Sequence, residues 1–238
     1  MPEGDTVWRA AHRLNATLAG HDLIASDFRV PSLAPTDLKG FGTSEVVSVG
    51  KHLLFRLERE DTQLTLHTHF RMDGSWHIYP KGERWRGGPT HTIRVILRTA
   101  SHDVVGYRLP VVELLKREDE HMAVGHLGVD IMSSTWDEAV AVAAVQSEPE
   151  RGIGDALLDQ RLIAGIGNLF RCESLFISRV NPWAAVSDVD VTTIVQTAAV
   201  LMHRNRWNPR QITTGDERRG HEHFVHARGG RECRRCST

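Results

Sequence analysis

Directly behind the initiator methionine, "MPEGDTVWRA" places Pro2 and Glu3 ahead of a polar, helix-like run. If Met1 is removed, Pro2 becomes a secondary α-amine, which titrates much nearer neutrality than a lysine and is partly unprotonated near pH 7. Such an amine attacks a sugar aldehyde carbon to give an iminium. Glu3 then stands beside it as a general acid-base group, and Lys51 of "VGKHLLF" supplies a fixed cation or a second proton-transfer group. With Met1 retained, the Pro2 nitrogen is an amide and this chemistry does not exist. Taken alone, Lys51 reads as a solvated strand-edge residue.

Three further stretches carry chemical potential. In "AGIGNLF" two glycines flank Ile166 and Asn168 opens a helix, whose first N–H groups could hold a phosphate or merely follow a tight helix-to-helix connection. "CRRC" near the end pairs Cys233 with Cys236, half of a tetrahedral zinc site, with His221, His223 or His226 as further candidates, or else two thiols on a frayed tail. "HFRMDGSW" puts Met72 in a turn, where an apolar side chain either wedges into a base stack or folds back into the core.

These residues need elements to hold them. Val7, Ala11, Leu14 and Leu18 recur at helical spacing, with Gly4 and Asp5 suited to the cap. From His21 to about Glu118 the texture is β-branched and alternating, in runs such as "EVVSVGKHLLFRLE", "TQLTLHTHF", "SWHIYP" and "HTIRVILRTA". Past "AVGHLGVDIM" it turns helical. "SSTWDEAVAVAAVQ" carries Ser/Thr capping signals and "DVTTIVQTAAVLMHR" repeats its form, with two helical stretches around "AGIGN" between them. The expected fold class is α+β: an N-terminal helix and β-sandwich over 1–125, a helical domain over 126–212, and a Cys-containing tail over 213–238. Among 238 residues, 40% are hydrophobic and 25% charged, enough for a real core. A net charge of -1 makes any polyanion-binding face a matter of local asymmetry, and the tail supplies it with Arg228, Arg231, Arg234 and Arg235. No run is long enough to span a membrane and no secretory signal opens the chain, so a cytosolic location is expected. Three cysteines do not suggest a disulfide framework.

In this order, "PEGDTVWRAAHRL", "VGKHLLF", "HFRMDGSW", "GHLGVDIM", "ALLDQRLIAGIGNLFRCESLF" and "VHARGGRECRRC" resemble the formamidopyrimidine-DNA glycosylase and endonuclease VIII family of base-excision repair enzymes. The resemblance covers nearly the whole chain. It implies a bifunctional DNA glycosylase and abasic-site lyase, in which Pro2 is the nucleophile, Glu3 the proton shuttle and Lys51 the lysine that engages the adjacent phosphate. A Schiff base on Pro2 then undergoes β- and δ-elimination. "AGIGN" becomes the turn of a helix-two-turns-helix motif with Asn168 on a backbone phosphate. Arg228 falls at the phosphate-gripping arginine of a zinc-finger hairpin, and Met72 fills the gap left by a flipped nucleotide. Asp130, in "LGVD", has either a positioning or a structural role. Zinc is the implied cofactor, through Cys233 and Cys236, although the usual second Cys-x2-Cys pair is missing from the sequence.

The opening Pro-Glu-Gly-Asp looks like the endonuclease VIII branch. The segment "RLPVVELLKRED" lacks the Arg-x-Phe wedge of members that act on purine lesions, and only ten residues separate Thr214 from Val225, too few for a long lesion-covering loop. Oxidised pyrimidines are the expected substrates. The expected partner is damaged DNA, duplex and also single-stranded, bound by a monomer. The alternative is a non-catalytic damaged-DNA-binding module of the same fold.

Overall fold

The computed structural model describes residues 2–238. Its internal contacts divide the chain into two compact units, one of Pro2 with Val7–His126 and the other of Glu3–Thr6 with Leu127–Thr238.

The first unit is a β-sandwich with a helix. Helix α1, Gly4–Leu18, buries Val7, Ala11, Leu14 and Leu18 as the apolar spacing predicts. It begins three residues earlier than its apolar face, because the Gly4 N–H donates to the Gly165 carbonyl at 2.9 Å and the Thr6 N–H to the Glu3 carbonyl. Asp5 therefore lies inside the first turn rather than capping it, and its carboxylate accepts from Gln211 Nε2 at 2.9 Å.

Eight strands follow: β1 (Ala25–Phe28), β2 (Gly42–Val49), β3 (His52–Arg59), β4 (Thr62–His69), β5 (Ser75–Pro80), β6 (Ile93–Arg98), β7 (His102–Tyr107) and β8 (Val111–Lys116). They form two antiparallel sheets of order β1-β6-β7-β5 and β2-β3-β4-β8. Alternation dictates which residues meet between them. Leu53, Phe55 and Leu57 of β3 point inward with Leu66, Trp76, Val95, Leu97 and Val104 and the α1 face, one continuous apolar core. Each such side chain contributes about 1.5–3 kcal/mol by leaving water. The same alternation sends His52, Leu54 and Arg56 to the opposite face, in register with His69, His67 and Thr65 of β4 and with Val111, Glu113 and Leu115 of β8.

The second unit is mostly helical. Short helices α2 (Glu120–Val124) and α4 (Ile153–Ala156) accompany α3 (Glu138–Gln146), α5 (Asn168–Ile177) and α6 (Val191–Asn205), with α2 closing the first unit. The cap of α3 is Asp137, whose Oδ1 accepts from Ala139 N and Val140 N, rather than one of the preceding Ser/Thr residues; Asp190 does the same for α6. The stretch before "AGIGN" is only one helical turn. After it, β10 (Ile163–Ala164) pairs in parallel with β9 (Val129–Asp130), an association between distant segments that no periodicity announces. Residues 213–238 pack with these helices through turns and carry no regular element.

Candidate active site

Glu3 is fully buried, and its surroundings account for the glycines of "AGIGN". One carboxylate oxygen accepts from Leu169 N at 2.7 Å, the other from Gly167 N at 2.8 Å and Phe170 N at 3.3 Å. Those are the orphan donors at the start of α5, where the positive end of the helix also favours an anion. Three N–H donors suit an ionised carboxylate. A Cβ on Gly167 would stand 2.4 Å from Glu3 Cδ, and Gly165, at φ +106°, lies 3.0 Å from where a Cβ on Gly4 would sit. Of the two readings of this loop, a phosphate cradle or a plain connection, neither is what is seen: the first N–H groups of α5 are taken by the chain's own carboxylate.

Asn168, the first residue of α5, keeps its side chain outside that cap. Its Oδ1 accepts from Arg171 Nη2 at 2.5 Å, which leaves the amide N–H groups as the donors free for an anion. The Asp130 carboxylate accepts from Met132 N at 2.9 Å and turns the chain after β9, a structural duty at the same bridge that leads into "AGIGN".

In the first unit, Pro2 is half-buried just ahead of α1. Lys51 sits in the two-residue turn joining β2 to β3, where Val49 pairs with His52 and Gly50 takes φ +58°, the glycine-first form of tight hairpin. Met72 is 62% exposed in the turn after β4. It is held out by Arg71 at φ 48°, whose N–H donates to His69 Nδ1, and by Arg108 Nε, which donates to the Asp73 carbonyl. Met72 thus does not fold back into the core. The connection from β7 to β8 is only residues 108–110, with Leu109 buried.

Glu173, five residues into α5, was not singled out by sequence. It is fully buried, accepts at 2.8 Å from each of Phe224 N, Val225 N and His226 N, and takes the Thr213 hydroxyl as well. The signal was present: an acid within the apolar stripe of Leu169, Phe170 and Leu175 needs donors from elsewhere. Its donors come from the segment that carries Arg228, whose Nη2 donates to the Glu232 carbonyl at 2.8 Å.

Cys233 and Cys236 lie in one turn, and Cys236 Sγ is 3.1 Å from Thr238 Oγ1, a contact that lowers the thiol from its ordinary value. Two of the three histidines offered to complete a zinc site, His223 and His221, are engaged elsewhere. His223 Nε2 meets the Gln211 carbonyl at 2.8 Å, and His221 Nδ1 lies 3.1 Å from Arg234 Nη1 and 3.3 Å from Asp216. Among the described residues no group of three or more His, Cys, Asp or Glu is arranged to hold a metal ion. Two thiols are half of a tetrahedral set, so the residues present do not fit zinc on their own.

Matches to both units place the chain in a class of DNA-processing proteins. The formamidopyrimidine-DNA glycosylase N-terminal domain matches residues 1–110, and the H2TH domain of the same enzymes matches residues 127–205. The chain belongs to the formamidopyrimidine-DNA glycosylase family. "Probable endonuclease 8 2" of Streptomyces coelicolor is 48% identical over 241 residues, all of this chain and 86% of that one. The "DNA-(apurinic or apyrimidinic site) lyase Nei2" of Mycolicibacterium smegmatis is 39% identical, over all of this chain and 91% of its own. The fold is that of Lactococcus lactis Fpg in complex with DNA containing an abasic site, with TM-score 0.80 at 18% identity over all of this chain and 92% of that one. Among the described residues no helix is long and apolar enough to cross a membrane.

Proposed function

We propose that this protein excises oxidised pyrimidines from DNA, using Pro2 as the nucleophile, and then cleaves the strand at the resulting abasic site by β,δ-elimination. The class of activity, DNA glycosylase with lyase in base excision repair, follows from family membership and from the named relatives. The observation that carries the residue assignment is the buried Glu3 carboxylate, fixed by three backbone donors in the residue next to Pro2.

The secondary amine of Pro2, freed from Met1, attacks the anomeric carbon of the damaged nucleotide. The base leaves and an iminium forms. Glu3 exchanges the protons that ring opening and elimination require, and it does so without searching for a geometry, because the α5 N-terminus holds it. Lys51 engages the neighbouring phosphate and assists. Asn168 and Arg228 hold the strand by its phosphates, and Met72 occupies the space vacated by the flipped nucleotide. The choice of pyrimidine lesions is supported by the three-residue connection after β7, whose Leu109 is buried and Arg108 engaged with Asp73, so that no second wedge projects there. With Met72 as the single wedge the opposite base is read loosely, and single-stranded DNA becomes a substrate as well as duplex. Every group named lies in one chain, so a monomer suffices. Of the zinc that the family resemblance implies, Cys233 and Cys236 supply only half of a four-ligand set, and no step of the reaction passes through the metal. Met1 lies outside the described residues. The test is borohydride trapping of a preparation that begins at Pro2, on DNA carrying an oxidised pyrimidine. A covalent adduct is expected, and its absence would overturn the assignment.

A further inference from the structure

Next to Lys51, on the sheet face turned away from the core, four histidines converge. His52 follows Lys51 directly, and its ring stacks on His67 with centroids 5.0 Å apart and planes within 19°. His52 Nδ1 lies 2.8 Å from His67 Nε2, and His67 Nδ1 lies 2.9 Å from Glu113 Oε2. His69 meets His52 edge-on at 4.9 Å, and His126 does so at 6.2 Å. The His67 side chain is 5% exposed and that of Glu113 is 55% exposed, so the hydrogen-bonded chain runs from the sheet's interior edge to water.

Packing does not require this arrangement. The neighbours on the same face include Leu54, Val111 and Leu115, and apolar residues in place of the imidazoles would avoid burying polar atoms that each need a partner. Nor is it arranged to hold a metal ion. The charged groups facing the cluster are Lys51 and Arg71 together with Glu113; Arg56, further along the face, is already neutralised by Glu45 and Glu120. Burial, with the neighbouring imidazoles and Arg71, pushes His52 down to about 3. Burial, with Arg71, His67 and Lys51, pushes His69 down to about 4. Both rings are therefore neutral at physiological pH, the state in which an imidazole carries one donor and one acceptor and can pass a proton through.

We propose that His52, His67 and Glu113 form a proton relay that shuttles protons between the elimination chemistry beside Lys51 and solvent. In the resting chain His67 Nδ1–H donates to the Glu113 carboxylate, His52 Nδ1–H donates to His67 Nε2, and His52 Nε2 is an acceptor. A proton arriving at His52 Nε2 displaces the one on Nδ1 to His67 Nε2. That transfer displaces the His67 Nδ1 proton to Glu113, which releases it to water. One proton enters and one leaves, and both rings end as the opposite tautomer; a proton taken from water and passed back along the same contacts, when a later step of the cycle consumes one, restores them. His69 is held out of the chain, since its Nδ1 accepts from Arg71 N.

The relay rests on the lyase reading above, and the test separates the two. Single-turnover elimination is followed on duplex DNA with a preformed abasic site, alongside borohydride trapping, for the wild type, His67→Ala and Glu113→Gln. The expected result is an elimination rate lowered at least about tenfold in both variants, with trapping undiminished because imine formation precedes the relay. Added imidazole should restore His67→Ala, filling the vacated ring site, which a purely structural role would not allow. Should His67→Ala fail to fold, Glu113→Gln on its exposed edge carries the test alone. The relay is overturned if elimination in Glu113→Gln proceeds at the wild-type rate, or if trapping falls in step with elimination and imidazole restores nothing. Failure of the wild type to be trapped would instead strike the Pro2 assignment.

Discussion

The carboxyl carbon of Glu3 occupies the space that a side chain on Gly167 would need: a Cβ there would lie 2.4 Å from Glu3 Cδ, and 2.7 Å from Glu3 Oε1. The glycine is required by what approaches it, since its own φ of -124° is open to any residue. Gly167→Ala must therefore displace Glu3 from the start of α5. The expected outcome is a loss of glycosylase and lyase turnover of about 10²-fold or more, the range for a displaced acid-base group, while DNA affinity changes little. Single-turnover kinetics beside a binding titration would check it, and unchanged turnover would remove Glu3 from the chemistry.

Glu173 makes a second such clasp, from the middle of α5 to the segment carrying Arg228. Glu173→Ala would strand three backbone N–H groups and the Thr213 hydroxyl in a buried site. A destabilisation of about 2–4 kcal/mol follows from leaving such donors unpaired. DNA binding should weaken as Arg228 loses its aim. Glu173→Gln, which keeps an acceptor oxygen, should recover part of both. Chemical denaturation and a salt-dependent affinity measurement separate the two effects.

How far the sequence reveals this depends on whether the cause is local. The α1 face, the inward alternation of β3 and the amphipathic α6 each follow from spacing alone, since a residue's neighbours three or four, or two, positions away decide its burial. Pro2 stood out as a residue that helix capping leaves unexplained, whereas the glycines of "AGIGN" read equally as a plain helix-to-helix connection. Their connection, a carboxylate from position 3 capping a helix at position 168, spans 165 residues and has no periodic signature. Glu173, the parallel bridge of β9 with β10, and the His52–His67–Glu113 chain stayed hidden for the same reason. Each depends on pairing between segments far apart in the chain, and a histidine within an apolar run gives no hint of which ring it will meet. The reassignment of the helix caps from Ser/Thr to Asp137 and of Asp5 into the first turn is a smaller matter of one or two residues, settled by which carboxylate reaches the free N–H groups.

The imidazole cluster also sets how stability responds to acid. His52 and His69 are pushed down to about 3 and about 4, chiefly by burial, and His77 is lowered for the same leading reason. Unfolding returns each to near 6.5, so below that value the unfolded chain binds protons that the folded chain refuses. Stability is then fully present above about pH 6.5 and falls steadily as pH drops toward 4. This window lies above the range in which the lowered Glu120 takes up its proton. The melting temperature should decline between pH 6.5 and 4.5, and His69→Asn should flatten that decline. An unchanged slope would show that the cluster is not what titrates.

Met72 offers the cleanest separation of function from folding. It is 62% exposed, and its turn is fixed by backbone and neighbouring side chains rather than by its own packing: Gly74 N–H donates to the Phe70 carbonyl at 2.9 Å, and a Cβ on Gly74 would meet that carbonyl oxygen at 2.7 Å. Met72→Ala should leave stability within about 0.5 kcal/mol, as for other surface substitutions. An apolar wedge replaces part of the stacking lost when a nucleotide leaves the duplex, a contribution of a few kcal/mol at most. Excision of an oxidised pyrimidine from duplex DNA should accordingly fall by about tenfold or more, while the same lesion in single-stranded DNA, where there is no stack to repair, should be processed at nearly the wild-type rate. Comparing the two substrates under single turnover makes the variant its own control. Equal losses on both would mean that Met72 contacts the lesion strand in some other way than as a wedge.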